Sequence, residues 1–177
     1  MKTILKSETV FSTHWFDVVA RTTGPADPPY YALEAADFVS VLATTSSGDV
    51  VLVRQYRPPV EKYTLELPSG HVDQGESPED AARRELLEET GYRAGKIELL
   101  GALCPDTGRM ANRIWCFFAP AAASPEASFA GEDGVEVLTA SPAELSRLVL
   151  NSQLEHALYL AVLMLSGLQG KFRLEAA

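Results

Sequence analysis

The chain has 177 residues, which suits one domain of ordinary size. With 46% hydrophobic and 22% charged residues it is globular in balance, which excludes disorder over most of its length and any need for disulfides or a structural metal to hold a core. The net charge of −9, from 24 acidic and 15 basic residues, argues against the broad basic footprint of a nucleic-acid binder, although carboxylates that recruit a divalent cation can still hold a phosphate.

The first third reads as strands. Thr9 to Thr22 alternates loosely, with a break at Ser12-Thr13-His14, and Gly24 to Pro29 is a turn cluster. Tyr30–Leu33 and Phe38–Ala43 are rich in aromatic and β-branched residues. A turn signal at Ser46-Ser47-Gly48-Asp49 leads into an apolar strand, Val50–Tyr56, closed by Pro58-Pro59. The spacing then predicts a helix from Pro78 to Thr90, with Ser77 as N-cap and Gly91 as the stop. Strands are expected at Ile97–Leu103 and Ile114–Phe118, followed by an Ala-, Ser- and Pro-rich loop over Ala119–Gly131. Apolar structure resumes at Val135-Glu136-Val137. A capping pattern at Ser141-Pro142-Ala143-Glu144 and an apolar stretch from Leu154 to Leu168 predict two last helices. This order is α+β, without a regular βαβ series.

No apolar run approaches the ~20 residues that span a bilayer, so no membrane partner is expected. The N-terminus lacks the apolar stretch of a secretion signal. The two cysteines, Cys104 and Cys116, form no CxxC pair and read as small buried residues. The cytoplasm is the default compartment.

The chemistry concentrates in Gly70–Tyr92. Glu85, Glu88 and Glu89 share one face of the predicted helix, near its C-terminal end. Like charges at that spacing repel, and the helix dipole opposes them there. Arg84 can pair with Glu88, which leaves Glu85 and Glu89 uncompensated. The pattern fits a solvated acidic face; it also fits oxygen ligation of Mg²⁺ or Mn²⁺.

Gly70, Glu76, Arg84, Glu85, Leu86, Glu88, Glu89, Gly91 and Tyr92 together resemble the Nudix box, Gly-x5-Glu-x7-Arg-Glu-U-x-Glu-Glu-x-Gly-U, with U a bulky apolar residue. The resemblance implies an α/β/α sandwich with a mixed sheet, hydrolysing a nucleoside diphosphate linked to another group. It implies Glu85, Glu88, Glu89 and the Ser69 carbonyl as cation ligands, Arg84 as the residue orienting the glutamates, and Glu76 as a loop support. Val53-Arg54-Gln55-Tyr56-Arg57-Pro58 and Leu65-Glu66-Leu67-Pro68-Ser69-Gly70 further resemble the ADP-ribose and nucleoside-diphosphate-sugar pyrophosphatases. So does the acidic loop at Glu132-Asp133-Gly134, which implies Glu132 or Asp133 as the base. Those hydrolases usually carry a proline beyond the box; Pro105 lies closer to the box than that, which leaves a hexose-bearing nucleotide sugar open beside ADP-ribose. A non-catalytic sensor and a hydrolase of modified nucleoside triphosphates are the alternatives.

Outside the box each residue carries two readings. Arg57 contacts substrate phosphate or ends a strand in solvent. Arg54, on the opposite strand face, contacts substrate or forms a structural ion pair. Glu66 is a site residue. Glu132 and Asp133 are otherwise loop charges. Trp15 stacks on a nucleobase or is buried in a core or interface. His71 reads as structural, and His14 and His156 show no partner. Residues 1–36 are expected as an antiparallel β segment whose aromatic face requires a two-fold partner, making a homodimer with possible exchange of strands, and 37–177 as the hydrolase domain.

Overall fold

Local signals place most of the elements. In a computed structural model of the chain, described over residues 3–125 and 129–175, the N-terminal segment forms an antiparallel sheet. It contains β1 (Lys6–Ser12), β2 (Phe16–Thr22) and β3 (Tyr30–Ala35), in that order. Next come β4 (Phe38–Ala43), β5 (Val50–Arg57), a 3-10 turn at Pro58–Val60, β6 (Lys62–Glu66) and β7 (Ser69–His71). Helix α1 (Pro78–Thr90) precedes β8 (Glu98–Leu103), β9 (Ile114–Ala119) and β10 (Val135–Ala140). Helices α2 (Pro142–Leu150) and α3 (Ala157–Leu168) complete the fold.

The expected α1 is found with its caps. The Ser77 hydroxyl accepts from the Asp80 N–H at 3.1 Å, and Gly91, at φ 72°, donates its N–H to the Leu87 carbonyl. Strands β6 and β7 are not anticipated by the sequence pattern, because each is short and β6 carries charge at both ends. Helix α3 starts at Ala157 rather than Leu154, since the His156 imidazole caps it by accepting from the Leu158 N–H; Leu154 is buried ahead of the helix. Residues 126–128 of the expected Ala119–Gly131 loop lie outside the described residues.

One four-stranded sheet, ordered β7-β4-β9-β8, is mixed: β4 and β9 run parallel and the other pairs are antiparallel. Alternation along its strands sets the layers. Val39, Val41, Ala43, Phe117 and Ala119 point to one side, against Ala81, Ala82 and Leu86 of α1. Leu42, Ile114, Cys116 and Phe118 point to the other, against Tyr159, Val162 and Leu163 of α3. The result is the expected α/β/α sandwich. A second antiparallel sheet, β10-β5-β6, carries the 57–66 hairpin to the edge of the site. The N-terminal sheet is tied to this body through Leu33, whose N–H donates to the Arg109 carbonyl at 2.7 Å while its carbonyl accepts from the Ala111 N–H at 2.9 Å.

Candidate active site

The end of β6, the β7 loop, the last turns of α1 and the start of α3 enclose a cleft of about 1230 Å³. Its floor is acidic. Glu85, Glu89 and Glu132 line it, together with Ser69 and Gly70. Asp133 is not among the lining residues.

Arg84 organises the helix side. Its Nε and Nη2 donate to the two carboxylate oxygens of Glu76 at 3.0 and 2.9 Å. Nη1 donates to Glu85 at 2.7 Å and to Glu88 at 3.1 Å, and Nη2 also reaches the His71 carbonyl at 2.9 Å. Glu76 accepts from the Asp73 N–H as well, so it closes the loop as expected. The expectation that Arg84 leaves Glu85 uncompensated is corrected: the long guanidinium fork reaches the neighbouring glutamate across the helix shoulder. Glu88 stays exposed. Glu89 is buried, and it accepts from the Ser69 N–H at 2.9 Å. Among the described residues no lysine or arginine forms an ion pair with Glu89.

One guanidinium therefore serves Glu76, Glu85 and Glu88, with Asp73 at 3.9 Å as well, while Glu89 is buried without a cation. Burial pushes the Glu89 carboxyl up to about 7, the Ser69 N–H pulls against that, and the charges of Glu85, Glu132 and Glu66 add to the rise. Burial likewise raises Glu85, against the pull of Arg84. Such a floor, offering only oxygen donors and an excess of negative charge, suits a hard divalent cation. Among the described residues no group of three or more His, Cys, Asp or Glu side chains is already placed to hold a metal ion. Gly70 makes room for the floor: a Cβ there would fall 2.0 Å from the Glu85 carboxyl carbon.

The hairpin side is different. Arg57 Nε and Nη2 each donate at 2.7 Å to one oxygen of Glu66. The Thr64 hydroxyl donates to the first of those oxygens at 2.6 Å, and the Tyr159 hydroxyl to the second at 2.8 Å. Burial alone would raise the Glu66 carboxyl, but its four donors together hold it below the ordinary range. Arg57, the last residue of β5, thus lines the cleft as one half of a bidentate pair, with its side chain partly exposed. Arg54 lies off the cleft, paired with Glu136 at 3.0 Å and stacked over Tyr63, as the ion-pair reading has it.

Trp15 is 65% exposed on the rim of the cleft, so it is not a core residue of this chain. Its indole lies near-parallel to His71, with centroids 5.9 Å apart, and His14 packs edge-on against it. His71, read as structural, presents its ring to the cleft and only its carbonyl to Arg84. His156 has partners too: it caps α3 and lies against the Tyr159 ring. Cys116 is buried as expected, whereas Cys104 is exposed where β8 gives way to a loop. The role of Tyr159 is missed by sequence reasoning. Its signal is a phenol in a mostly apolar helix, since a buried tyrosine oxygen requires a partner.

The family model of the NUDIX domain matches residues 35–159. The ADP-sugar pyrophosphatase of Mus musculus is 48% identical over 79 residues, 42% of this chain and 36% of that protein. The ADP-ribose pyrophosphatase of Bacillus subtilis is 41% identical over 81 residues, 46% of this chain and 44% of that protein. The chain thus spans under half the length of these relatives. A crystal structure of an ADP compounds hydrolase superposes with a TM-score of 0.78 at 23% identity, covering 96% of each chain, a likeness of fold.

Proposed function

The chain belongs to the NUDIX family, and from that premise we propose that it hydrolyses the pyrophosphate of ADP-ribose or a nucleoside diphosphate sugar to a nucleoside monophosphate and a sugar phosphate. The observation that carries this reading is Glu89, a buried carboxylate with no ion-pair partner among the described residues, set in a cleft that Arg57 also lines. The cofactor is Mg²⁺, with Mn²⁺ as a substitute, held by Glu85, Glu88, Glu89 and the Ser69 carbonyl. When bound, it neutralises pyrophosphate charge and lowers the pKa of a water. Glu132 takes the proton of the attacking water; its place on the cleft floor, which Asp133 does not share, supports that choice. Arg57 donates to a substrate phosphate, and Trp15 offers an exposed ring face to the base. The names of the two relatives, which act on an ADP-sugar and on ADP-ribose, support this substrate class.

The enzyme acts as a homodimer through residues 1–36. Every residue of β1 is exposed, and Phe11, Trp15, Tyr30 and Tyr31 expose half or more of their surface. An uncovered three-stranded sheet of that composition is marginal alone. Free thiols at Cys104 and Cys116 support a cytoplasmic setting. The net charge of −9 disfavours nucleic-acid partners. The test is a substrate panel with Mg²⁺, containing ADP-ribose, UDP-glucose, GDP-mannose, dinucleotides and modified nucleoside triphosphates, with products identified. Turnover confined to triphosphates, or binding without turnover, overturns the reading. Sedimentation equilibrium at low micromolar concentration tests the dimer, and a mass near 19.2 kDa overturns it.

A further inference from the structure

An ionised carboxylate offers about four lone-pair sites. In Glu66 all four are taken, two by Arg57, one by Thr64 and one by Tyr159. The residue is 3% exposed. It therefore has no lone pair left for a cation, a substrate hydroxyl or a water, although it lies on the wall of the cleft. Arg57, by contrast, spends Nε and one terminal nitrogen on Glu66, and its Nη1 has no hydrogen-bond partner among the described residues. Its side chain is 43% exposed, toward a cleft with an acidic floor. A guanidinium gripped along one edge cannot rotate, so its other edge is fixed in direction. Tyr159 donates from the third residue of α3 and is buried in the core with its ring packed on that side of the sheet.

We infer that Glu66 and Tyr159 are positioning residues: the phenol of α3 clamps Glu66, Glu66 clamps Arg57, and the outward edge of Arg57 is thereby aimed at a substrate phosphate. The last link rests on the proposed hydrolysis; the clamp itself does not. Its consequence is a specific division of labour. Loss of the phenol hydroxyl leaves the ring in the core and the chemistry on the floor intact, and loosens only the phosphate contact.

The clamp is tested without substrate by labelling arginines with phenylglyoxal and following the Arg57 peptide by mass spectrometry. Tyr159→Phe is expected to raise the labelling rate of Arg57 by ~3-fold or more, with other arginines unchanged. Equal rates overturn the clamp. Steady-state hydrolysis then tests the aim. Tyr159→Phe should raise KM by ~5–10-fold with kcat within ~2-fold. In an Arg57→Ala background, whose own KM is raised further, Tyr159→Phe should add nothing, because its effect runs through Arg57. An equal loss in both backgrounds, or a fall in kcat at constant KM, overturns the aim and places the pair at the reacting atoms or in general packing. Failure of the wild type to hydrolyse any pyrophosphate compound sinks the proposed function and the aim but leaves the labelling result readable.

Discussion

Two arginines organise two sides of one cleft, Arg57 as a lining residue and Arg84 from behind the glutamates, and their surroundings are opposite in kind. Arg84 is shared among Glu76, Glu85, Glu88 and, at 3.9 Å, Asp73, with no ion pair to Glu89, so the helix wall carries more negative charge than its own cation can balance. Arg57 meets a single carboxylate that is fully satisfied and keeps one edge for other company. The first wall lacks a cation, and the second, though its arginine is paired with Glu66, keeps an unused donor edge. On the proposed reading, a pyrophosphate with a bound divalent cation would meet both: the cation would balance the acidic wall and a phosphate oxygen would take the free arginine edge.

The largest test of that contrast falls on the acidic wall. Glu89→Gln keeps size and polarity and removes the buried charge; kcat should fall by at least ~10³ while thermal stability holds or rises, because repulsion is relieved. Near-normal turnover in steady-state assays would break the assignment. Glu132→Gln should lower kcat by ~10² or more with metal affinity, measured by titration calorimetry, almost unchanged. A matching loss from Asp133→Asn alone, with Glu132→Gln active, would move the base one residue along. On the other wall the effect is smaller and of another type. Arg57→Lys retains charge but not the two-point grip, and KM should rise by ~10-fold with kcat little changed.

The smallest effect is one of stability against pH, and there the two walls differ in sign. With metal chelated, Glu89 in the folded protein holds its proton up to about 7, whereas in the unfolded chain it releases it near 4.5. Its contribution is complete below the unfolded value and is lost as pH rises through 7. Glu66 lies below the ordinary range when folded, so its contribution is present above the unfolded value and is lost as pH falls through the folded one. Calorimetric Tm of the chelated protein should therefore fall by a few degrees from pH 5 to 8, and Glu89→Gln should flatten that limb. A limb that persists in Glu89→Gln assigns it elsewhere; the acid limb should survive that substitution.

The two walls also differ in how far the sequence discloses them. The acidic wall is local: its glutamates lie within one helix turn of each other, Ser77 and Gly91 mark the helix ends, and spacing alone brings the carboxylates to one face. The other wall is assembled from the ends of two strands and a helix that begins some ninety residues later in the chain. Arg57, Thr64, Glu66 and Tyr159 have no common period, and β6, which carries two of them, is too short and too charged at its ends to announce itself. The histidines fail for the same reason. His71 and His156 acquire partners only once β7 and α3 stand beside the cleft. Trp15 looks like a core residue from its size, and only the tertiary structure places it on a rim.

Gly70 couples loop and helix in a way that a geneticist would see. The space a side chain there would take is filled by the Glu85 carboxyl group, so even Gly70→Ala must displace that group or the loop. The two positions then behave as one locus. A random-mutagenesis screen that starts from the crippled Gly70→Ala protein should return second-site suppressors at Glu85, with the shorter Glu85→Asp first among them. The suppressor would restore folding sooner than turnover, since its carboxyl group draws back by one methylene from the place where it is needed.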